Sequence, residues 1–110
     1  MKVIVQARHM NVTDALRQHV EDKVSKLPHI LDSLISVEVI LDREADNCVA
    51  EAVATASRKT TFVATHRDPD MYACIDQCLH KLVEQLRRYK DKIRDRQKPP
   101  HGQEPGEQPA

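Results

Sequence analysis

The feature that most constrains this chain is an unbroken row of apolar residues near its C-terminus. Tyr72, Ile75, Leu79, Leu82, Leu86, Tyr89 and Ile93 follow one another at spacings of 3, 4, 3, 4, 3 and 4. An α-helix turns once every 3.6 residues, so this spacing lines all seven side chains along one stripe that another layer must cover. Such a stripe is core rather than a cofactor box. Asp68-Pro69-Asp70 opens the helix: Asp68 as the cap, Pro69 at the first helical position where its missing amide costs nothing, and Asp70 at the positive end of the dipole. Beyond Ile93 the helix has nothing left to bury.

The covering layer is readable upstream. Val3, Val5 and Ala7 alternate with Lys2, Gln6 and Arg8 over residues 2–8, which predicts a strand, although Ile4 breaks the pattern. Thr13 can cap a following helix, Asp14 suits its first turn, and Leu16, Val20, Val24 and Leu27 repeat at helical spacing until Pro28 stops it. Residues 35–42 set Ile35, Val37, Val39 and Leu41 against Ser36, Glu38 and Asp42, the pattern of a strand with one buried face. Asp46-Asn47 supplies a turn, and two further strands are expected over 48–56 and 60–66. Their connection, Ser57-Arg58-Lys59, lacks glycine and leaves the hairpin type open. The predicted fold is α+β: one β-α-β-β-β-α domain over residues 1–96, a four-stranded sheet with two helices packed on one face. A right-handed crossover through the first helix makes strand one parallel to its partner. From residue 97 to 110 the Pro, Gly, Gln and Glu content, without a large apolar side chain, predicts a disordered tail.

Formal charge is zero, with 17 basic and 17 acidic residues, and on its own that argues against a polyanionic partner. The distribution argues for one. Residues 87–98 hold seven basic and two acidic side chains, whereas 1–86 hold 10 basic and 13 acidic. Phosphates respond to the field within about one Debye length, ~10 Å at moderate salt, so a segregated patch serves on a neutral protein. Placed at 100° intervals, Lys81, Gln85, Arg88 and Lys92 form one stripe beside the apolar seam, with Arg87 and Arg94 on the other flank. Long cationic arms at about one per turn suit successive phosphates of structured RNA, and Gln85 suits a sugar or base edge. The bland alternative is a solvated helix laced with pairs such as Glu84-Arg88 and Asp91-Arg94.

Other chemistry finds little foothold. Cys74 and Cys78 lie one turn apart, but no second pair follows and His80 points elsewhere, so no metal site and no cofactor is expected. No nucleophile has a base in a recognisable motif, and the only glycines, Gly102 and Gly106, rule out a phosphate loop upstream. An enzyme is not expected, nor a small-molecule substrate. Three cysteines in a reducing compartment are expected to be free thiols. No run approaches the ~18 apolar residues of a membrane span, and the N-terminus turns polar too early for a signal peptide, so a cytoplasmic protein is expected. With no Trp, one Phe and two Tyr, stacking platforms for single strands are excluded.

Two segments resemble a known family. Arg8-His9-Met10-Asn11-Val12-Thr13-Asp14-Ala15-Leu16-Arg17, then Val20-Glu21-Asp22-Lys23-Val24-Ser25-Lys26-Leu27, resembles the strand-to-helix opening of the ribosome hibernation promoting factor and ribosome-associated inhibitor A family, also called sigma-54 modulation proteins. Asp70-Met71-Tyr72-Ala73-Cys74-Ile75-Asp76, then Lys81-Leu82-Val83-Glu84-Gln85-Leu86-Arg87-Arg88-Tyr89-Lys90, resembles its closing helix. The resemblance implies a short-form member with a layout like that of double-stranded-RNA-binding domains. It implies binding between head and body of the small ribosomal subunit, on ribosomal RNA and beside ribosomal proteins. There the domain would block messenger and the A- and P-site transfer RNAs in idle, stationary-phase or stressed cells. By the same resemblance Arg8, Arg17, Lys23, Lys81, Gln85, Arg88 and Lys90 are expected rRNA contacts, to which the helical stripe adds Lys92; ribosome modulation factor is a further expected partner, and the protein is expected to be a monomer off the ribosome. The competing expectation is a protein-interaction regulator, a modulator of a transcription factor, acting through the open sheet face without the ribosome.

Overall fold

A computed structural model describes the backbone of residues 1–97 and side chains through Arg94. The elements are β1 (Lys2–Arg8), α1 (Asp14–Val24), a 3-10 turn (Leu27–His29), β2 (Leu34–Glu44), β3 (Asn47–Ala56), β4 (Thr60–Asp68) and α2 (Met71–Gln97). Gln97, assigned from sequence to the tail, is the last residue of α2, and the rest of the expected tail lies outside the described residues.

The four strands form one sheet in the order β1-β2-β3-β4. β1 runs parallel to β2, Val5 opposite Val39, while β2/β3 and β3/β4 are antiparallel. Alternation decides which side chains meet the helices. Val37, Val39 and Leu41 of β2, Ala50, Ala52 and Ala54 of β3, and Phe62 and Ala64 of β4 are buried on one face. Leu16, Val20 and Val24 of α1 and Ile75, Leu79, Leu82 and Leu86 of α2 close over them. The inward row of β3 is alanine, and Cys74 and Cys78 face it from α2, so the helix can lie close to the sheet. The opposite face carries no helix: Ile4, Ile40, Val53 and Val63 stand there among Gln6, Glu38, Glu51 and Thr65.

Three local expectations are corrected. The α2 stripe does not begin at Tyr72, which is 41% exposed and packs edge-on against His19 with ring centroids 5.0 Å apart; Met71, Cys74 and Cys78 fill the seam instead. Small residues read poorly as core, yet here they set the helix's rotation. Ile35 is 55% exposed because a register shift between Leu34 and Ser36 bulges β2 and turns Leu34 inward in its place. The helix cap is Asp70, whose Oδ2 accepts from the Ala73 amide at 2.8 Å, while Asp68 accepts from the Asp70 amide at 2.9 Å and shapes the approach. Thr13 caps α1 as expected, accepting from the Leu16 amide at 3.1 Å. At the β3–β4 connection Arg58 (φ 63°) and Lys59 (φ 60°) are both left-handed. Cβ crowding there costs roughly 1–2 kcal/mol per residue.

Candidate nucleic-acid interface

The stripe singled out on α2 lies along the free edge of β4. Lys81 Nζ donates to the Thr65 carbonyl at 2.9 Å, and Gln85 Nε2 donates to the Val63 carbonyl at 2.8 Å. The match is geometric: four residues of helix rise ~6 Å, two residues of strand span ~6.7 Å, and the two elements run in opposite directions. Two successive turns of α2 therefore meet two successive outward carbonyls, and an edge strand that would otherwise present bare acceptors is latched there by side chains. Arg88 and Lys92 continue the stripe toward the end of α2, both exposed.

The other expected contacts do not join this flank. Lys90 is two residues from Arg88, hence ~160° around the helix, and faces the side on which α1 packs. Lys23 of α1 lies 3.7 Å from Asp76 of α2, and His19 Nε2 lies 2.7 Å from the same Oδ1. Arg17 is exposed on α1. Arg8 belongs to the helix-free face, in register with Asp42, whose carboxyl a His9 hydrogen bond holds below the usual carboxylate range. The eight residues thus occupy three places: the β4-edge flank (Lys81, Gln85, Arg88, Lys92), the α1 side (Arg17, Lys23, Lys90), and the far face (Arg8). Glu84 pairs with His80 at 3.5 Å rather than with Arg88, which leaves Arg88 out of the intrahelical pairing expected for it, whereas Asp91–Arg94 does form, at 2.7 Å.

Sequence reasoning passed over Arg58 and Lys59, which project from the tip of the β3–β4 hairpin. Their signal was available: two adjacent cations in a short connection without glycine. The cysteines are buried free thiols. Burial pushes the Cys78 thiol up to about 12 and also raises Cys74, so both are neutral donors, to the Ala64 and His66 carbonyls respectively. Among the described residues no group of three His, Cys, Asp or Glu side chains is arranged to hold a metal. Nothing in the structure explains His66, whose Nδ1 is buried without a hydrogen-bond partner among those residues.

The four-stranded mixed sheet covered on one face by two helices defines a small α+β domain of a kind seen in solved ribosomal proteins. A solved ribosomal subunit interface protein from Coxiella burnetii shares the fold with a TM-score of 0.77 at 24% identity, over 83% of this chain and 99% of that one. The N-terminal domain of Thermus thermophilus Protein Y gives 0.75 at 27% identity, over 81% and 99%. The chain belongs to the Sigma 54 modulation protein / S30EA ribosomal protein family, whose model matches residues 3–94. Among its relatives are the ribosome hibernation promoting factors of Azotobacter vinelandii, 38% identical over 110 residues (100% of this chain, 99% of that protein), and Escherichia coli K12, 31% identical over 94 residues (86% and 98%).

Proposed function

We propose that this chain is a ribosome hibernation factor of the cytoplasm that binds the small ribosomal subunit in its decoding channel. The observation that carries the reading is the α2 flank. Lys81 and Gln85 are held against β4 while Arg88 and Lys92 extend the same row into solvent, in a chain whose relatives are named for ribosome hibernation. Arms at helical spacing displace counterions from rRNA phosphates, which drives association. The bulk of the domain then occupies the space that messenger and A- and P-site transfer RNA require. Arg17, Lys23 and Lys90 contact rRNA from the α1 side, and Arg8 from the far face. Binding is the whole of the mechanism; no bond is made or broken.

A sucrose gradient of stationary-phase lysate containing the tagged protein tests this. The protein is expected in the small-subunit and whole-ribosome fractions, leaving them at high salt; migration as free protein at low salt would overturn the reading. The same gradient shows whether the occupied ribosomes are paired, as expected if ribosome modulation factor acts alongside. One observation favours a second reading: the helix-free face sets Val63 (48% exposed) and Val53 among charged residues, and the family's description includes modulation of sigma 54. A transcription-factor modulator acting through that face would copurify with a protein and without rRNA.

A further inference from the structure

Beyond the sheet, α2 overhangs. Among the described residues Leu86 is its last fully buried side chain; Tyr89, partly covered, packs edge-on against Phe62 of β4 with ring centroids 5.3 Å apart, and Ile93 continues the seam beyond it. There the helix, the segment 28–33 and the β3–β4 hairpin enclose a groove of about 460 Å³. That is within the ~300–1,000 Å³ of ligand-sized clefts. Its lining combines apolar Leu31, Tyr89 and Ile93 with cationic Arg58 on the hairpin and Lys90 and Arg94 on the helix. Arg94 shares its charge with Asp91, whereas no carboxylate among the described residues pairs with Arg58 or Lys90. Arg58 is presented by a backbone held in the left-handed region without glycine, so the tip is fixed by the fold rather than by the residue's own preference. Among the described residues Asp32 is the sole carboxylate in the lining.

We infer that this groove takes one unpaired nucleotide of a structured RNA, its phosphates on Arg58 and Lys90 and its base against Tyr89 and Ile93. Three features choose this occupant. A duplex cannot place a flat apolar surface into a cleft of this volume, but a base splayed from a loop or bulge can, and RNA-binding proteins read such bases by packing and edge hydrogen bonds. The lining carries the charge that flanking phosphates require. Asp32, an obligate acceptor, repels an acidic peptide but accepts from a base that offers an exocyclic amine. Uracil offers Asp32 only its ring N3–H, whereas adenine offers an exocyclic amine and a larger flat face for Tyr89 and Ile93, so the groove favours adenine over uracil. The inference deepens the ribosomal reading and rests on it for the source of the RNA.

The test titrates the 15N-labelled full chain with hexa-adenylate, hexa-uridylate or a hexaglutamate peptide and follows amide shifts. Shifts are expected to gather on residues 30–33, 57–58 and 89–94 with hexa-adenylate, more weakly with hexa-uridylate, and not with the peptide. Arg58→Ala with Lys90→Ala should weaken hexa-adenylate binding roughly tenfold through two lost phosphate contacts, with an unchanged melting temperature. Shifts elsewhere, an equal response to uridylate, or a stronger response to the peptide would overturn the inference. Pelleting of the wild-type chain with small subunits is scored separately. Its failure sinks the ribosomal reading while the hexamer shifts still decide the groove, and absent groove shifts sink the inference even if pelleting succeeds.

Discussion

Lys81 and Gln85 tie α2 to β4, and the proposed function asks them to meet RNA as well. Both were chosen from sequence as solvated arms free to meet RNA, and on that basis their replacement should leave stability untouched. The hydrogen bonds to Thr65 and Val63 change that expectation. Gln85→Ala should destabilise the fold by about 1 kcal/mol, the usual net worth of a hydrogen bond, whereas Arg88→Ala should be silent in urea unfolding because Arg88 is exposed and bonds no other described residue. Association separates the pair differently: Arg88→Ala should weaken pelleting with small subunits although stability is intact, and unaltered pelleting would remove Arg88 from the interface. The buried thiols give a second residue-scale prediction. Cys78 titrates at about 12 in the fold, against an ordinary 9.0, because burial disfavours the thiolate. The unfolded chain therefore gives up this proton first as pH rises. Cys78's contribution is complete below pH 9 and is lost between 9 and 12, so Cys78→Ala should flatten the alkaline limb of a stability profile. A limb of unchanged slope would show that other groups govern it.

At the level of elements, the order β-α-β-β-β-α was legible because each period is carried by large side chains: alternating Val37, Val39 and Leu41, or Leu79, Leu82 and Leu86 along α2. The failures fall where one residue changes the count. The bulge at Leu34/Ser36 exchanges Leu34 for Ile35, an event that binary pattern cannot show because both are apolar. The helix start moved from Asp68 to Asp70 because two acidic residues flank Pro69 and either can cap; the structure uses one for the helix and the other for the turn before it. Asp70→Ala should then cost about 1 kcal/mol in urea unfolding, and Asp68→Ala less. Equal effects would mean that the pair caps jointly. The candidate site was legible only in part for the same reason. A helical wheel gave the row Lys81-Gln85-Arg88-Lys92, but no wheel shows that β4 lies beneath it or that Lys90 faces another side.

For the molecule as a whole, the governing property is charge placed rather than charge possessed. A chain with 17 basic and 17 acidic residues gains no long-range attraction to RNA from its net charge. On the proposed function, affinity for rRNA comes from short-range contacts of locally placed cations, foremost those along the α2 flank. Contact with about six phosphates predicts a roughly thousandfold loss of ribosome affinity between 50 and 200 mM salt, measured by filter binding to purified small subunits. A flat response would assign the affinity to protein or base contacts instead. Replacing an uncharged side chain on the helix-free face, as in Val53→Ser, should leave that slope alone.

The latch between α2 and β4 carries a consequence for how such a surface recognises a polyanion. A lysine on a bare helix surrenders most of its rotational freedom when it grips a phosphate, at roughly 0.5–1.5 kcal/mol per arm. Lys81 has already surrendered that freedom to the Thr65 carbonyl, and its ammonium group retains two further hydrogens directed outward. If the domain binds rRNA as proposed, part of its grip is cast in place during folding, more like the teeth of a key than fingers closing on a handle.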